Sequence, residues 1–168
     1  MVETTRLLLR PWREADAIIQ RRLWEERDPR VPAHRRIDAE GRPTVAELEE
    51  RIRSSHRSGV RGLLAIELRD SGTVIGYCGL VDDDSDLEGE PELAFELFKG
   101  YWGHGYATEA GTAVLKRARS AGYSRVRAGV RDWNVASRRV LAKLGFVETG
   151  GVERDEVHGD SLLLVRVF

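Results

Sequence analysis

Residues 92–110 read Glu92-Leu93-Ala94-Phe95-Glu96-Leu97-Phe98-Lys99-Gly100-Tyr101-Trp102-Gly103-His104-Gly105-Tyr106-Ala107-Thr108-Glu109-Ala110, and the pattern changes halfway. The first half alternates. Leu93, Phe95 and Leu97 fall on one side, and Glu92, Ala94 and Glu96 on the other, the period of a strand with one buried face. The second half is a turn punctuated by glycine, and beyond it Ala110, Val114, Leu115 and Ala118 recur at helical spacing over 106–121. Gly103 and Gly105 permit positive φ and close approach of the backbone. The helix start that follows presents N–H groups without intrahelical partners and the positive end of the dipole, which suits a pyrophosphate. Taken alone, a Gly-x-Gly turn is weak, because many strand-to-helix connections use one simply to turn tightly.

Two familiar phosphate-binding patterns fit poorly. A dinucleotide fingerprint calls for a third glycine or alanine where this chain has Thr108, and for an alternating parallel α/β chain. A Walker loop is excluded, since no Gly-Lys-Ser/Thr occurs anywhere.

Working outward, residues 6–10 predict a short strand stopped by Pro11, and Ala15, Ile18, Ile19 and Leu23 predict a helix over 14–27. Thr44 and Glu47 form a capping-box signature for a second helix running to about residue 58. Two strands, 62–68 and 74–81, flank the turn signal Asp70-Ser71-Gly72. After the central stretch, strands are predicted at 124–130, 146–152 and 162–168, with a short helix at 135–144. Hairpins combined with one strand-helix-strand crossover indicate an α+β domain. Its expected form is a mixed, mostly antiparallel sheet of about seven strands flanked by about four helices.

The remaining features bound the function. A chain of 168 residues suits a single domain, 1–168. Nothing approaches the apolar length that spans a bilayer, and the opening Met-Val-Glu-Thr-Thr-Arg has no secretory pattern, so a cytoplasmic protein with no membrane partner is expected. Cys78, the single cysteine, can form no intramolecular disulfide and no cysteine-built metal site, and no metal is expected. A formal net charge of −1 argues against nucleic acid as a partner. Charge is uneven all the same: residues 82–96 hold eight carboxylates and no basic residue. Such a run is either a solvated loop or a bias of a nearby cleft toward cationic acceptors.

The strand Glu92 to Leu97 followed by Tyr101-Trp102-Gly103-His104-Gly105-Tyr106-Ala107-Thr108-Glu109-Ala110 resembles the acetyl-CoA motif of the GNAT acyltransferases. Asn134-Val135-Ala136-Ser137 leading to Leu141-Ala142-Lys143-Leu144-Gly145-Phe146 resembles the second half of that signature. Upstream, Thr5-Arg6-Leu7-Leu8-Leu9-Arg10-Pro11 with Glu14-Ala15-Asp16-Ala17 is similar to the opening of the RimJ/RimL-like branch, which includes ribosomal-protein N-terminal acetyltransferases. Together these cover residues 4–168 in the family's order.

The resemblance implies an N-acetyltransferase that moves acetyl from acetyl-CoA, its cosubstrate, directly to a primary amine in a ternary complex. The acceptor would be a small molecule or a protein N-terminus, and a homodimer is allowed, since dimers are frequent among relatives. Backbone groups of Phe95, Glu96 and Leu97 would pair with pantetheine, and Gly103, His104, Gly105, Tyr106, Ala107 and Thr108 would cradle the phosphates. Asn134 would add a side-chain contact to CoA beyond its fitness as an N-cap. Glu92 would take the amine's proton, with Glu96 in reserve, and Ser137 would donate to the departing sulfur. The chain departs from the family at Gly100, where Gln or Arg is frequent, and at Leu141, where many relatives carry an acidic tyrosine. The alternative is a GNAT-fold domain that binds acyl-CoA as a sensor or interaction module without turnover.

Overall fold

The computed structural model describes residues 1–55, 60–82 and 90–168. One sheet runs through them in the order β1 (Val2–Glu3), β2 (Leu7–Arg10), β3 (Gly62–Leu68), β4 (Val74–Val81), β5 (Glu92–Leu97), β6 (Arg125–Arg131), β8 (Ser161–Val167) and β7 (Val147–Glu153). All neighbours are antiparallel except β5 and β6, which are parallel. Four helices accompany the sheet: α1 (Ala17–Glu25), α2 (Val45–Ser54), α3 (Tyr106–Ser120) and α4 (Val135–Lys143). The expected α+β architecture is present, with one strand more than the expected seven. The addition is β1, whose two residues pair as Val2↔Leu9 and Glu3↔Leu8 and are too few to show an alternation in sequence.

Local expectations translate into geometry. Thr44 Oγ1 accepts from Glu47 N–H at 3.2 Å and Glu47 Oε2 accepts from Thr44 N–H at 2.8 Å, so the capping box starts α2. The expected run of that helix to residue 58 falls on residues outside the described set. The residues read as the first turn of the first helix, Glu14–Asp16, form a 3-10 turn that leads into α1.

The core lies between the sheet and α3. Leu93 and Leu97 of β5 share it with Leu80 of β4, Leu9 of β2, and Val114 and Leu115 of α3. Burying one such side chain contributes about 2 kcal/mol. The opposite face of the sheet carries a polar cluster. Arg10, 4% exposed, donates through Nη1 to Asp16 Oδ2 at 2.6 Å and through Nε to Glu67 Oε2 at 2.6 Å. Asp16 also accepts from Arg13 N–H at 2.8 Å. This pair explains the opening motif: the arginine that ends β2 anchors the carboxylate that starts α1.

Burial alone would raise Asp16, but hydrogen bonds from the Arg10 guanidinium and the Arg13 N–H overcome it and hold the carboxyl below its usual range. A depressed carboxyl stabilises the fold above its unfolded value, and that contribution is lost as pH falls through the folded value. Asp16→Asn is therefore expected to cost about 2 kcal/mol at neutral pH. Urea unfolding should show a gap between wild type and variant that is constant from about pH 7 to pH 5 and closes below about pH 4.

Candidate active site

The parallel pairing of β5 with β6 is confined to Glu92↔Arg127, where Arg127 N–H donates to the Pro91 carbonyl at 2.9 Å. Past that point the two strands part. Which backbone groups face the gap follows from the other edge of β5. Phe98 N–H donates to the Ile75 carbonyl at 3.0 Å, and the register with β4 continues through Tyr77↔Glu96 and Gly79↔Ala94. In an antiparallel ladder alternate residues turn their polar groups to the same neighbour. Glu96 thus bonds toward β4, whereas Phe95 and Leu97 turn their N–H and C=O toward the gap. The Leu97 carbonyl accepts from Trp102 Nε1 at 2.8 Å, which leaves the Phe95 groups as the centre of the open edge.

The gap opens into a cavity of about 530 Å³ bounded by β5, the glycine turn, the start of α3, the end of β6 and α4, with the stretch after α1 across from them. Gly103 (φ 79°) and Gly105 (φ 81°) are left-handed, and Gly105 is the N-cap of α3. A Cβ on Gly103 would meet nothing within 4 Å, and one on Gly105 only Arg6 Nη2 at 3.6 Å. Backbone sign, not space, demands glycine here. The first intrahelical bond runs from Glu109 N–H to the Gly105 carbonyl, at 3.0 Å. The N–H groups of Tyr106, Ala107 and Thr108 therefore precede the ladder, and all three residues line the cavity.

His104, expected in the cradle, does not line the cavity. Its exposed ring lies 2.8 Å from the Trp102 carbonyl through Nδ1 and stacks on Tyr106 with centroids 5.8 Å apart.

Glu92 sits at the fork itself. Its half-buried carboxylate accepts from Gly129 N–H at 3.4 Å, across the point where the strands separate. Across the cavity, Asn134 caps α4 by accepting from Ser137 N–H through Oδ1 at 3.1 Å. Ser137 lines the cavity from the first turn of α4, and Leu141, one turn on, is 2% exposed and packs into the core. The structure thus brings Glu92, Phe95, Leu97, the glycine turn, Asn134 and Ser137 to one cleft.

Glu96 is placed differently. Arg27 Nε donates to its Oε1 at 2.8 Å and Nη2 to its Oε2 at 2.6 Å, while Arg27 Nη1 holds the Arg35 carbonyl at 2.9 Å. The same guanidinium stacks 4.2 Å over Trp24. The Glu96 carboxylate, held in reserve as a proton acceptor, is thus engaged on both oxygens by a bidentate guanidinium fork. Burial and the Glu96 carboxylate push the Tyr77 hydroxyl up, keeping it a neutral donor.

Cys78 lies in the core, where burial pushes its thiol up to about 12. It is no nucleophile. Among the described residues no group of three or more His, Cys, Asp or Glu is placed to hold a metal ion, and no helix is long and apolar enough to cross a membrane. Of the acidic run, residues 83–89 lie outside the described set. On either side of that stretch, Asp82 pairs with Arg61, and Glu90 with Arg125 at 3.2 Å.

Sequence reading missed Arg27, Tyr77 and Trp133, all of which line the cavity. Trp133 Nε1 donates to the His158 carbonyl at 2.7 Å, and Arg30 stacks 4.1 Å over its ring. These residues come from three separated segments and carry no spacing signal. Only the Tyr77↔Glu96 register could have pointed to one of them.

The profile of the acetyltransferase (GNAT) domain matches residues 6–147. An uncharacterized N-acetyltransferase of Bacillus licheniformis is 27% identical over 98% of this chain and 92% of its own length. In fold the chain resembles a point mutant of the spermidine N-acetyltransferase SpeG of Vibrio cholerae, with a TM-score of 0.76 at 16% identity over 98% of this chain and 95% of that one. It likewise resembles a ribosomal-protein alanine acetyltransferase of Vibrio fischeri, with a TM-score of 0.75 at 16% identity over 99% and 95%. Fold, cleft and profile agree, and the chain belongs to the GNAT acetyltransferases.

Proposed function

We propose that this acetyltransferase moves an acetyl group from acetyl-CoA directly to a primary amine within a ternary complex. One observation carries the reading: β5 and β6 part just beyond Glu92, so a single open strand edge leads from a carboxylate to an anion-ready helix start. Acetyl-CoA would supply an activated thioester. Phe95 would pair with the pantetheine amides as an added strand does, and the N–H groups from Gly105 to Thr108 would hold the pyrophosphate. Asn134 would reach CoA through the amide end not used in the cap.

Glu92 would take a proton from the incoming ammonium, so that a neutral amine nitrogen bonds to the thioester carbon and its second proton is left for the departing sulfur. Ser137 would donate to the sulfur as the carbon–sulfur bond breaks. Leu141 supplies no acid, so Ser137 is the hydroxyl left on that side of the cleft. Positioning both reactants supplies much of the rate and no covalent enzyme intermediate is needed, in keeping with the inert Cys78.

The RimJ/RimL-like assignment is supported by the Arg10–Asp16 anchor of the opening motif and by the fold likeness to the Vibrio fischeri enzyme. Two structural neighbours name different amines, spermidine in one and a ribosomal-protein alanine in the other, so the acceptor class is the primary amine they share.

The test is calorimetry with acetyl-CoA, followed by thiol release with spermidine, amino acids and peptides bearing free N-termini. Binding together with amine-dependent thiol release is expected. Binding without transfer to any amine would favour the sensor reading, and no binding would sink both.

A further inference from the structure

The opening segment that looks like a fold anchor also reaches the glycine turn. Arg6 lies just before β2, and its guanidinium crosses to the start of α3. Nε and Nη2 each approach Glu109 Oε2 at 2.7 Å, and Nη1 donates to the His104 carbonyl at 3.0 Å. The plane of the guanidinium lies over Tyr106, 4.5 Å from its centroid. Glu109 Oε1 is taken as well, by Thr4 Oγ1 at 2.6 Å and by Arg6 N–H at 2.9 Å. Every donor that satisfies this carboxylate therefore comes from residues 4–6, more than a hundred positions away in sequence.

Glu109 poses an electrostatic problem. It stands in the first turn of α3, beside the N–H groups and positive dipole end that an anionic ligand would use. An unpaired carboxylate there would repel phosphate. Arg6 cancels that charge and ties down the His104 carbonyl between the two left-handed glycines, fixing the direction of the turn's N–H groups. We propose that Arg6 is a positioning residue for the diphosphate of the cosubstrate: it neutralises Glu109 and holds the glycine turn in its anion-binding shape. Three of its five N–H donors are engaged, two by Glu109 and one by the His104 carbonyl, and the role assigned to it here runs through the turn. This inference rests on the acetyl-CoA reading of the cleft.

The charge part of the idea separates it from a simple staple. Arg6→Gln exposes the Glu109 charge, whereas Arg6→Gln combined with Glu109→Gln removes both charges. Calorimetry with acetyl-CoA and with S-acetyl-pantetheine, which lacks the diphosphate, reads the difference, with thermal unfolding run on each variant. Arg6→Gln should weaken acetyl-CoA by about tenfold and leave S-acetyl-pantetheine unchanged, and the double variant should recover most of the loss. Equal weakening of both ligands would overturn the proposal, as would a double variant no better than the single one. Unchanged affinity for acetyl-CoA in folded Arg6→Gln would overturn it too while sparing the proposed function. Wild-type protein that binds neither ligand would overturn both readings together.

Discussion

Gly105→Asp is expected to abolish acetyl-CoA binding, whereas Gly105→Asn, of the same shape, should keep a measurable part of it. The comparison is informative because the two variants share their backbone cost. Gly105 has φ 81°, and Asn and Asp are the side-chain-bearing residues that enter this region most readily, at roughly 1 kcal/mol. A Cβ there would meet only Arg6 Nη2, at 3.6 Å, so neither side chain is crowded out. What differs is a full negative charge at the mouth of the N–H cradle. Asp is favourable beside the positive end of a helix, so the variant should be at least as stable as the Asn form while refusing the phosphates. Calorimetry should show about a tenfold loss for Asn and a loss beyond about a hundredfold for Asp. Equal losses would mean that turn shape alone matters and that no anion sits there.

Glu92→Gln should lower kcat/KM by about a hundredfold with the affinity for acetyl-CoA kept. Glutamine can still accept from Gly129 N–H, so the fork keeps its geometry and only basicity is removed. The deficit should narrow as pH rises toward the pKa of the acceptor amine, because a growing fraction of amine then arrives already neutral. A pH–rate profile of both forms checks this. If only the acceptor's KM rises, Glu92 holds the acceptor and is not the base. Glu96→Gln should behave otherwise: it loosens the Arg27 fork and lowers stability before it touches chemistry.

The central strand, the glycine turn and α3 were legible in the sequence because each is a local pattern: a period of two, a pair of glycines, a spacing of three to four. Thr44 and Glu47 were legible for the same reason. Contacts that depend on pairing between distant segments were not. Nothing in residues 146–168 says that β8 inserts between β6 and β7, since either order buries similar faces. The parting of β5 from β6 is equally silent, because both strands keep their alternation whether or not they are bonded to each other. Glu96 illustrates the limit: its position on the strand was evident, but its partner Arg27 lies 69 residues away, just past α1. Arg6 and Glu109 each stood in a recognised motif, yet only the fold shows that the two motifs meet.

The gap between β5 and β6 is a strand edge in the interior of a sheet rather than on its rim. An edge on the rim accepts any extended chain, and proteins must blunt it against association. An interior edge sorts what it admits by cross-section. A polypeptide strand would carry side chains alternately above and below its backbone. Here α3 and α4 stand on one side of the slot and the stretch after α1 on the other. The side chains of an entering strand would have to be accommodated against both of these walls. The geometry that leaves the Phe95 backbone groups open to the cavity thereby also shields them from the strands of neighbouring molecules.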